Sequence, residues 1–238
     1  MKRNILLIIV LSITFVWQAK AQELTVEYNP GYGSYCMKDM KDMLSGIRVE
    51  PPLDNFRTTD NFPGYLLQNL RIGYAWKKHQ AGILFEYMNT AGRNHLADYS
   101  GEFSAKIRVK GYKTGLFYRW FFAQAPMGNA VWEPYLQFSA GIIADRVKSH
   151  TYLVIGDETH VDFRESLNGT NLFMEPAVGV RFKMCRYAAV NLSLGYEWDP
   201  TGILYAKKDG KRIKSDFSAD WSGVRLQAGL IFYLSLKK

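Results

Sequence analysis

The sequence predicts an all-β fold: an eight-stranded antiparallel transmembrane β-barrel with short periplasmic turns and long extracellular loops. Three observations lead there. Along the last stretch Val224, Leu226, Ala228, Leu230, Phe232, Leu234 and Leu236 alternate with Arg225, Gln227, Gly229, Tyr233 and Ser235. A period of two puts the first set on one face of a strand and the second on the other. Seven further segments carry the same two-faced pattern, behind an N-terminal leader. The connectors between them alternate short and long.

Lys2 and Arg3 begin the leader, an apolar run from Ile5 to Trp17 follows, and Ala19-Lys20-Ala21 is a small-x-small cleavage site. The run is shorter than the roughly 20 apolar residues of a spanning helix. Residues 1–21 are therefore expected to be a signal peptide and 22–238 one barrel domain, with any membrane crossing made by strands. Removing the leader takes away three cations and no acid, so a formal charge of +8 becomes +5. An exported basic chain meets surface polyanions rather than nucleic acid, and net charge alone reports solubility and nonspecific association. The two cysteines, Cys36 and Cys185, fall at opposite barrel ends on the strand map, farther apart than the about 7 Å a disulfide bridges. Two free thiols are expected.

The strands are expected at about 24–35, 65–76, 80–90, 104–122, 132–147, 171–184, 188–198 and 221–236. Connectors after the second, fourth and sixth are short (Lys77-Lys78-His79, roughly 123–131, and Cys185-Arg186-Tyr187). Those after the first, third, fifth and seventh are long: 36–64, 91–103, 148–170 and 199–220. Barrels of bacterial outer membranes have such short turns on one side and long loops on the other.

Apolar outward positions fall on even numbers in seven strands, as in Leu66, Leu70 and Ile72 or Leu136, Phe138 and Ile142. The third strand is the exception, with Ala81, Ile83, Phe85 and Tyr87. A soluble barrel would turn its apolar face inward. Three features argue for the inverted arrangement. Aromatics end the apolar face: Trp76, Trp120, Phe122 and Trp132 at the short-turn end, Tyr32, Tyr87, Tyr112, Tyr196 and Trp198 at the other, as at membrane interfaces. Glycines on the polar face suit a crowded lumen. Charges on that face balance: Arg71, Lys113, Arg119, Arg181, Lys183 and Arg225 against Glu27, Glu86, Glu133, Asp145, Glu175 and Glu197. An eight-stranded barrel holds side chains rather than a channel, and buried charges need partners, so these twelve are expected to plug the bore.

Above Tyr112 the fourth strand carries Lys106, Arg108 and Lys110. If even positions stay outward, these cations stand at headgroup height, available to lipopolysaccharide phosphates; a β-bulge near Lys110-Gly111 would instead turn them inward or into solvent. Met37, Met40, Met43 and Leu44 share one face of a short helix, which either packs over the barrel mouth or binds a partner. Lys207, Lys208, Lys211, Arg212 and Lys214 make the fourth loop cationic.

Leader, eight alternating strands, connector lengths and the final Leu230-Ile231-Phe232-Tyr233-Leu234 run together resemble the small eight-stranded outer-membrane β-barrels, the superfamily that includes OmpX and the OmpA transmembrane domain. The final run is similar to the C-terminal signal read by the outer-membrane insertion machinery; here Ser235-Leu236-Lys237-Lys238 follows it, where the family pattern usually ends in an aromatic residue. The resemblance implies residence in the outer membrane of a Gram-negative bacterium, with lipid and lipopolysaccharide as neighbours and an extracellular protein or glycan as ligand. It implies a non-enzymatic role in envelope integrity or surface binding, with a lipid A acyl hydrolase or transferase, or a narrow pore, as alternatives.

Catalysis would need a nucleophile, a base and an orienting acid within hydrogen-bond reach. His79 falls in a short turn, and His95, His150 and His160 fall in long loops. No His-x-Ser or G-x-S-x-G signature is present, so these histidines read as solvated loop residues. His95 with Asp98, or His160 with Glu158 and Asp162, lacks the ligand spacing of a metal site. No cofactor, metal or nucleic-acid partner is expected.

Overall fold

A computed structural model describes residues 22–47, 57–99, 101–128, 130–156, 158–199, 203–208 and 211–235. The leader, its cleavage site and the last three residues lie outside the described residues. The strands are β1 (Gln22–Gly33), β2 (Arg57–Asn61), β3 (Tyr65–Trp76), β4 (His79–Asp98), β5 (Gly101–Phe121), β6 (Ala125–Met127), β7 (Ala130–Ile155), β8 (Glu158–Lys183), β9 (Ala188–Glu197), β10 (Leu204–Lys208), β11 (Lys211–Lys214) and β12 (Gly223–Ser235); one helix, α1, covers Lys38–Gly46. Eight strands close a ring in the order β1-β3-β4-β5-β7-β8-β9-β12, and β12 returns to β1 with every neighbour antiparallel. The chain is an eight-stranded antiparallel transmembrane β-barrel. Among the described residues no helix is long and apolar enough to cross a membrane.

One latitude of the wall shows why the outside is greasy. Tyr28 pairs with Leu70, Leu70 with Phe85, Phe85 with Thr114, Thr114 with Ile142 and Ile142 with Leu172. Antiparallel partners share a face, and all of these but Thr114 are exposed apolar or aromatic residues. Leu66 and Leu116 are about two-thirds exposed, at 66% and 67%. A band this continuous is stable only against hydrocarbon.

The phase exception in β4 has a geometric cause. Lys77-Lys78 is a two-residue turn with Lys77 at φ 49°. It pairs Trp76 with His79, so an even number faces the same way as an odd one. At the other end of the hairpin Asp98 pairs with Gly101, which reverses the parity again on entering β5. In the β7–β8 hairpin Ile155 pairs with Glu158, again odd beside even, and a register shift at Leu153/Val154 cancels that reversal; the bulge restores the even-outward phase of β8.

Two expected loops are strands. Residues 91–103 and 148–170 continue β4, β5, β7 and β8 as paired hairpins above the lipid band. Beyond Ala144, β7 runs on for 11 residues to Ile155, roughly 35 Å along the strand. Out of the membrane the outer face no longer has to be apolar, so the alternation used to find the strands fades while backbone pairing continues. The short connector 123–131 likewise contains β6, which pairs with the start of β7. Long connectors 36–64 and 199–220 hold α1 with β2, and β10 with β11.

Inside, the upper barrel is apolar. Met37, Met40, Leu44 and Phe62 pack with Leu67, Met88, Ile107, Val109, Val147, Leu167 and Trp221 in one buried cluster. α1 lies in the barrel mouth, Met40 and Leu44 inward, the arrangement in which the loop covers its own barrel. Gly92 permits it: a Cβ there would come within 2.5 Å of the Phe62 ring and 2.8 Å of Leu44. Met40→Ala should loosen this cap by about 2–3 kcal/mol. Hydrogen exchange in micelles should show faster exchange of the α1 amides with β1 and β12 unchanged; equal protection in the variant would contradict the packing.

Candidate functional site

The bore below the cap is filled by stacked polar layers. At the short-turn end Lys183 Nζ lies 3.0 Å from Glu23 Oε2, half-exposed. Next, Arg181 Nε donates to Glu133 Oε2 at 2.6 Å, with its guanidinium 3.7 Å from the Phe121 ring centre. Above it Arg119 donates from Nη1 and Nη2 to the two Glu27 oxygens at 3.1 and 3.2 Å, and from Nη2 to Gln137 at 2.8 Å. Arg71 bridges Gln137 at 3.1 Å and Gln227 at 2.7 Å, and Gln227 donates to Glu86 at 3.0 Å.

The densest layer surrounds Lys113. Its ammonium donates to Glu86, Glu175 and Glu197, whose oxygens lie within 4.8 Å of one another. Such a cage would suit a metal ion, but Lys113 supplies the cation. Arg225 donates to Glu197 at 3.0 Å and lies 4.9 Å from the Tyr35 ring centre. A continuous chain of charge-assisted hydrogen bonds thus runs from Glu27 to Arg225, and buried ions are tolerable only with this degree of pairing.

Two placements depart from a simple six-to-six balance. Arg71 meets amides rather than a carboxylate, and Asp145 accepts from the Trp221 indole at 2.7 Å. Asp199, in the connector after β9, is a further buried acid. It accepts from the Trp221 backbone N–H at 3.3 Å and from Asn171 Nδ2 at 3.1 Å. Trp221 is thereby pinned between two acids at the floor of the apolar cap. Glu23, Gln80, Gln137, Gln227 and Tyr135 also belong to the filling; the three glutamines, as neutral amides, carry no charge signal by which sequence alone would have placed them.

The aromatic positions lie on the outer face: Tyr32, Tyr112, Trp120, Trp132, Tyr196 and Trp198 are exposed, Trp76 and Tyr87 half-buried. Phe122 is exposed as well. The β4–β5 and β5–β7 registers run through Lys110-Gly111 without a shift, so no bulge turns the fourth strand there. Ile107 and Val109 are buried while Arg108 is exposed and Lys106 and Lys110 are half-exposed. All three cations point outward.

Cys36 and Cys185 are free and exposed. His79 is 2.7 Å from the Tyr118 hydroxyl. His150 pairs with Asp162 at 2.9 Å and His95 with Glu102 at 3.1 Å. Ser149 faces inward, buried, while His150 faces out. Ser104, across the sheet from His95, is 3% exposed and accepts from Arg93 Nε at 3.3 Å.

Lys113→Met should leave three crowded carboxylates without their ammonium and destabilise the barrel by about 3–5 kcal/mol, read as a lower urea midpoint in detergent. Asp199 gives a second prediction. Burial, with Glu197 and Asp220 nearby, pushes its carboxyl up to about 6 from 3.8. A raised acid favours the folded state while protonated, so stability falls as pH rises through 4–6. The Trp221 amide should be better protected at pH 5 than at pH 7.5 after correction for intrinsic exchange, and Asp199→Asn should flatten the difference.

No protein-family model matches the chain, and no curated protein matches it by sequence. Solved structures do. Ail, the attachment invasion locus protein of Yersinia pestis, in complex with the heparin analogue sucrose octasulfate, is 11% identical over 89% of this chain and 96% of its own, with a TM-score of 0.32. The outer-membrane protease OmpT of Escherichia coli is 10% identical over 90% and 95%, with a TM-score of 0.37. A major outer membrane protein of Thermus thermophilus is 10% identical over 90% and 100%, with a TM-score of 0.44. The chain is similar in structure to small outer-membrane β-barrel proteins.

Proposed function

We propose that the chain is a non-enzymatic outer-membrane β-barrel that serves envelope integrity or surface binding through its extracellular hairpins. One observation carries this reading: the bore is filled twice over, by the ion-pair layers from Glu27 to Arg225 and by the apolar cap of α1. A filled bore leaves the outer wall and the upright hairpins as the working surface. The expected leader at 1–21 supplies export, and the final strand supplies the signal for the insertion machinery. Against a lipid A hydrolase or transferase stands the geometry of the histidines: Ser104, paired with His95, and Ser149, next to His150 in the chain, are buried, the first bonded to Arg93 and the second on the opposite face from His150.

Purified protein in planar bilayers should show no discrete conductance steps. Lipid A mass spectra should be unchanged between cells with and without the chain, and intact mass should begin at Gln22. Resolved channel steps, or an acylation change lost in His95→Ala or His150→Ala, would overturn the reading.

A further inference from the structure

Just above the upper aromatic ring the outer wall carries like charges in direct opposition. Tyr112 pairs with Ala144; the next outward pairs are Lys110 with Arg146, Arg108 with Lys148, and Lys106 with His150. On the far side His150 pairs with Arg164. Paired side chains on one face have Cβ atoms about 4.5–5.5 Å apart, and like charges so placed destabilise a sheet. Arg108, Arg146 and Lys148 are exposed. Among the described residues no carboxylate lies within ion-pair distance of Lys106, Arg108, Lys110, Arg146 or Lys148. The nearby acids are engaged elsewhere: Asp162 with His150 and Arg164, Glu102 with His95 and Tyr152.

We propose that this ladder is a binding site for a phosphorylated glycolipid of the outer leaflet, with Lys110, Arg146, Arg108 and Lys148 as its phosphate ligands. The inference rests on the outer-membrane reading above and names the partner of that surface. Position selects lipid over a soluble polyanion: the lowest rung is two residues above Tyr112, continuous with the lipid band. Height selects a glycolipid over an ordinary phospholipid. Rungs repeat every two residues, about 6.8 Å along the strands, so the two ligand rungs stand about 5 Å apart vertically at a typical 35–45° tilt, and Lys106 adds a cation about 10 Å above the lowest rung. A phospholipid offers its phosphate in one plane. A lipid whose sugars carry phosphates, as lipopolysaccharide does, offers anions at several heights. Long cationic side chains rooted on Cβ atoms about 5 Å apart can converge on one doubly charged phosphate.

The test uses the mature chain in phosphatidylcholine nanodiscs doped with lipopolysaccharide, the same lipopolysaccharide after chemical dephosphorylation, or phosphatidylglycerol, with a heparin oligosaccharide as the soluble arm. Retained ligand is read by native mass spectrometry. Expected is preferential retention of the phosphorylated glycolipid, lost by about tenfold or more in Arg108→Ser/Lys148→Ser and retained in Arg108→Lys. Heat-modifiable gel migration reports folding of each variant, and the four ligand arms decide the matter on the wild-type chain alone if the double variant does not fold. Equal retention of dephosphorylated lipid or phosphatidylglycerol, tighter capture of the heparin oligosaccharide, or undiminished retention in a folded double variant would overturn the proposal. Channel conductance would sink the sealed-barrel reading while leaving this lipid preference intact, so the two failures are separable.

Discussion

Hydrocarbon offers backbone N–H and C=O groups no hydrogen-bond partner, so every membrane-crossing strand needs two neighbours. Closure of β12 onto β1, from Glu23–Ser235 to Gly33–Arg225, satisfies that demand. The rest follows from it. A ring of eight strands leaves an interior as wide as its own side chains, and alternation sends every second residue there. What points inward must fill the space and neutralise itself; what points outward must suit lipid.

The interior meets this demand with two different materials. In the lipid-embedded part, Arg119 with Glu27 and Lys113 with Glu86, Glu175 and Glu197 form a hydrogen-bonded ionic filling. Cations of the filling also lie against aromatic faces, among them Arg181 on Phe121, Arg119 on Tyr135, Lys113 on Phe173 and Arg225 on Tyr35. Higher up, the same inward phase carries Met88, Ile107, Val109 and Val147, and the filler is α1 with Phe62. Trp221 joins the two zones, bonded to Asp145 and Asp199 and packed among the apolar residues. Hydrophobic burial thus replaces charge pairing where the wall leaves the membrane.

The tall hairpins extend the wall beyond the lipid and keep its register. Their outer face is freed from lipid and able to carry charge. Continuity of β5 with β7 sets Lys110 beside Arg146 and Arg108 beside Lys148. Rigid strands hold these cations more firmly than mobile loops would, since each flanking backbone is paired on both sides.

The ring strands were legible because lipid imposes a strict period of two: Leu66, Leu70 and Ile72, or Leu192 and Leu194, are apolar because nothing else is tolerated there. The same logic located Ile83 and Phe85 on the odd phase, and Tyr112 and Trp198 at the outer rim. Lengths beyond the membrane were not legible, because residues 91–103 and 148–170 no longer face hydrocarbon and their pattern stops reporting the strand. Nor was the meeting of Arg146 and Lys148 with Lys110 and Arg108, since residues some 40 positions apart are joined only by register. The sequence by itself determined which face of each crossing strand meets lipid, through the local chemistry of alternation. Only the tertiary structure decided which charges share a layer, what fills the mouth and how far the wall rises, because those depend on ring closure and on pairing between distant segments.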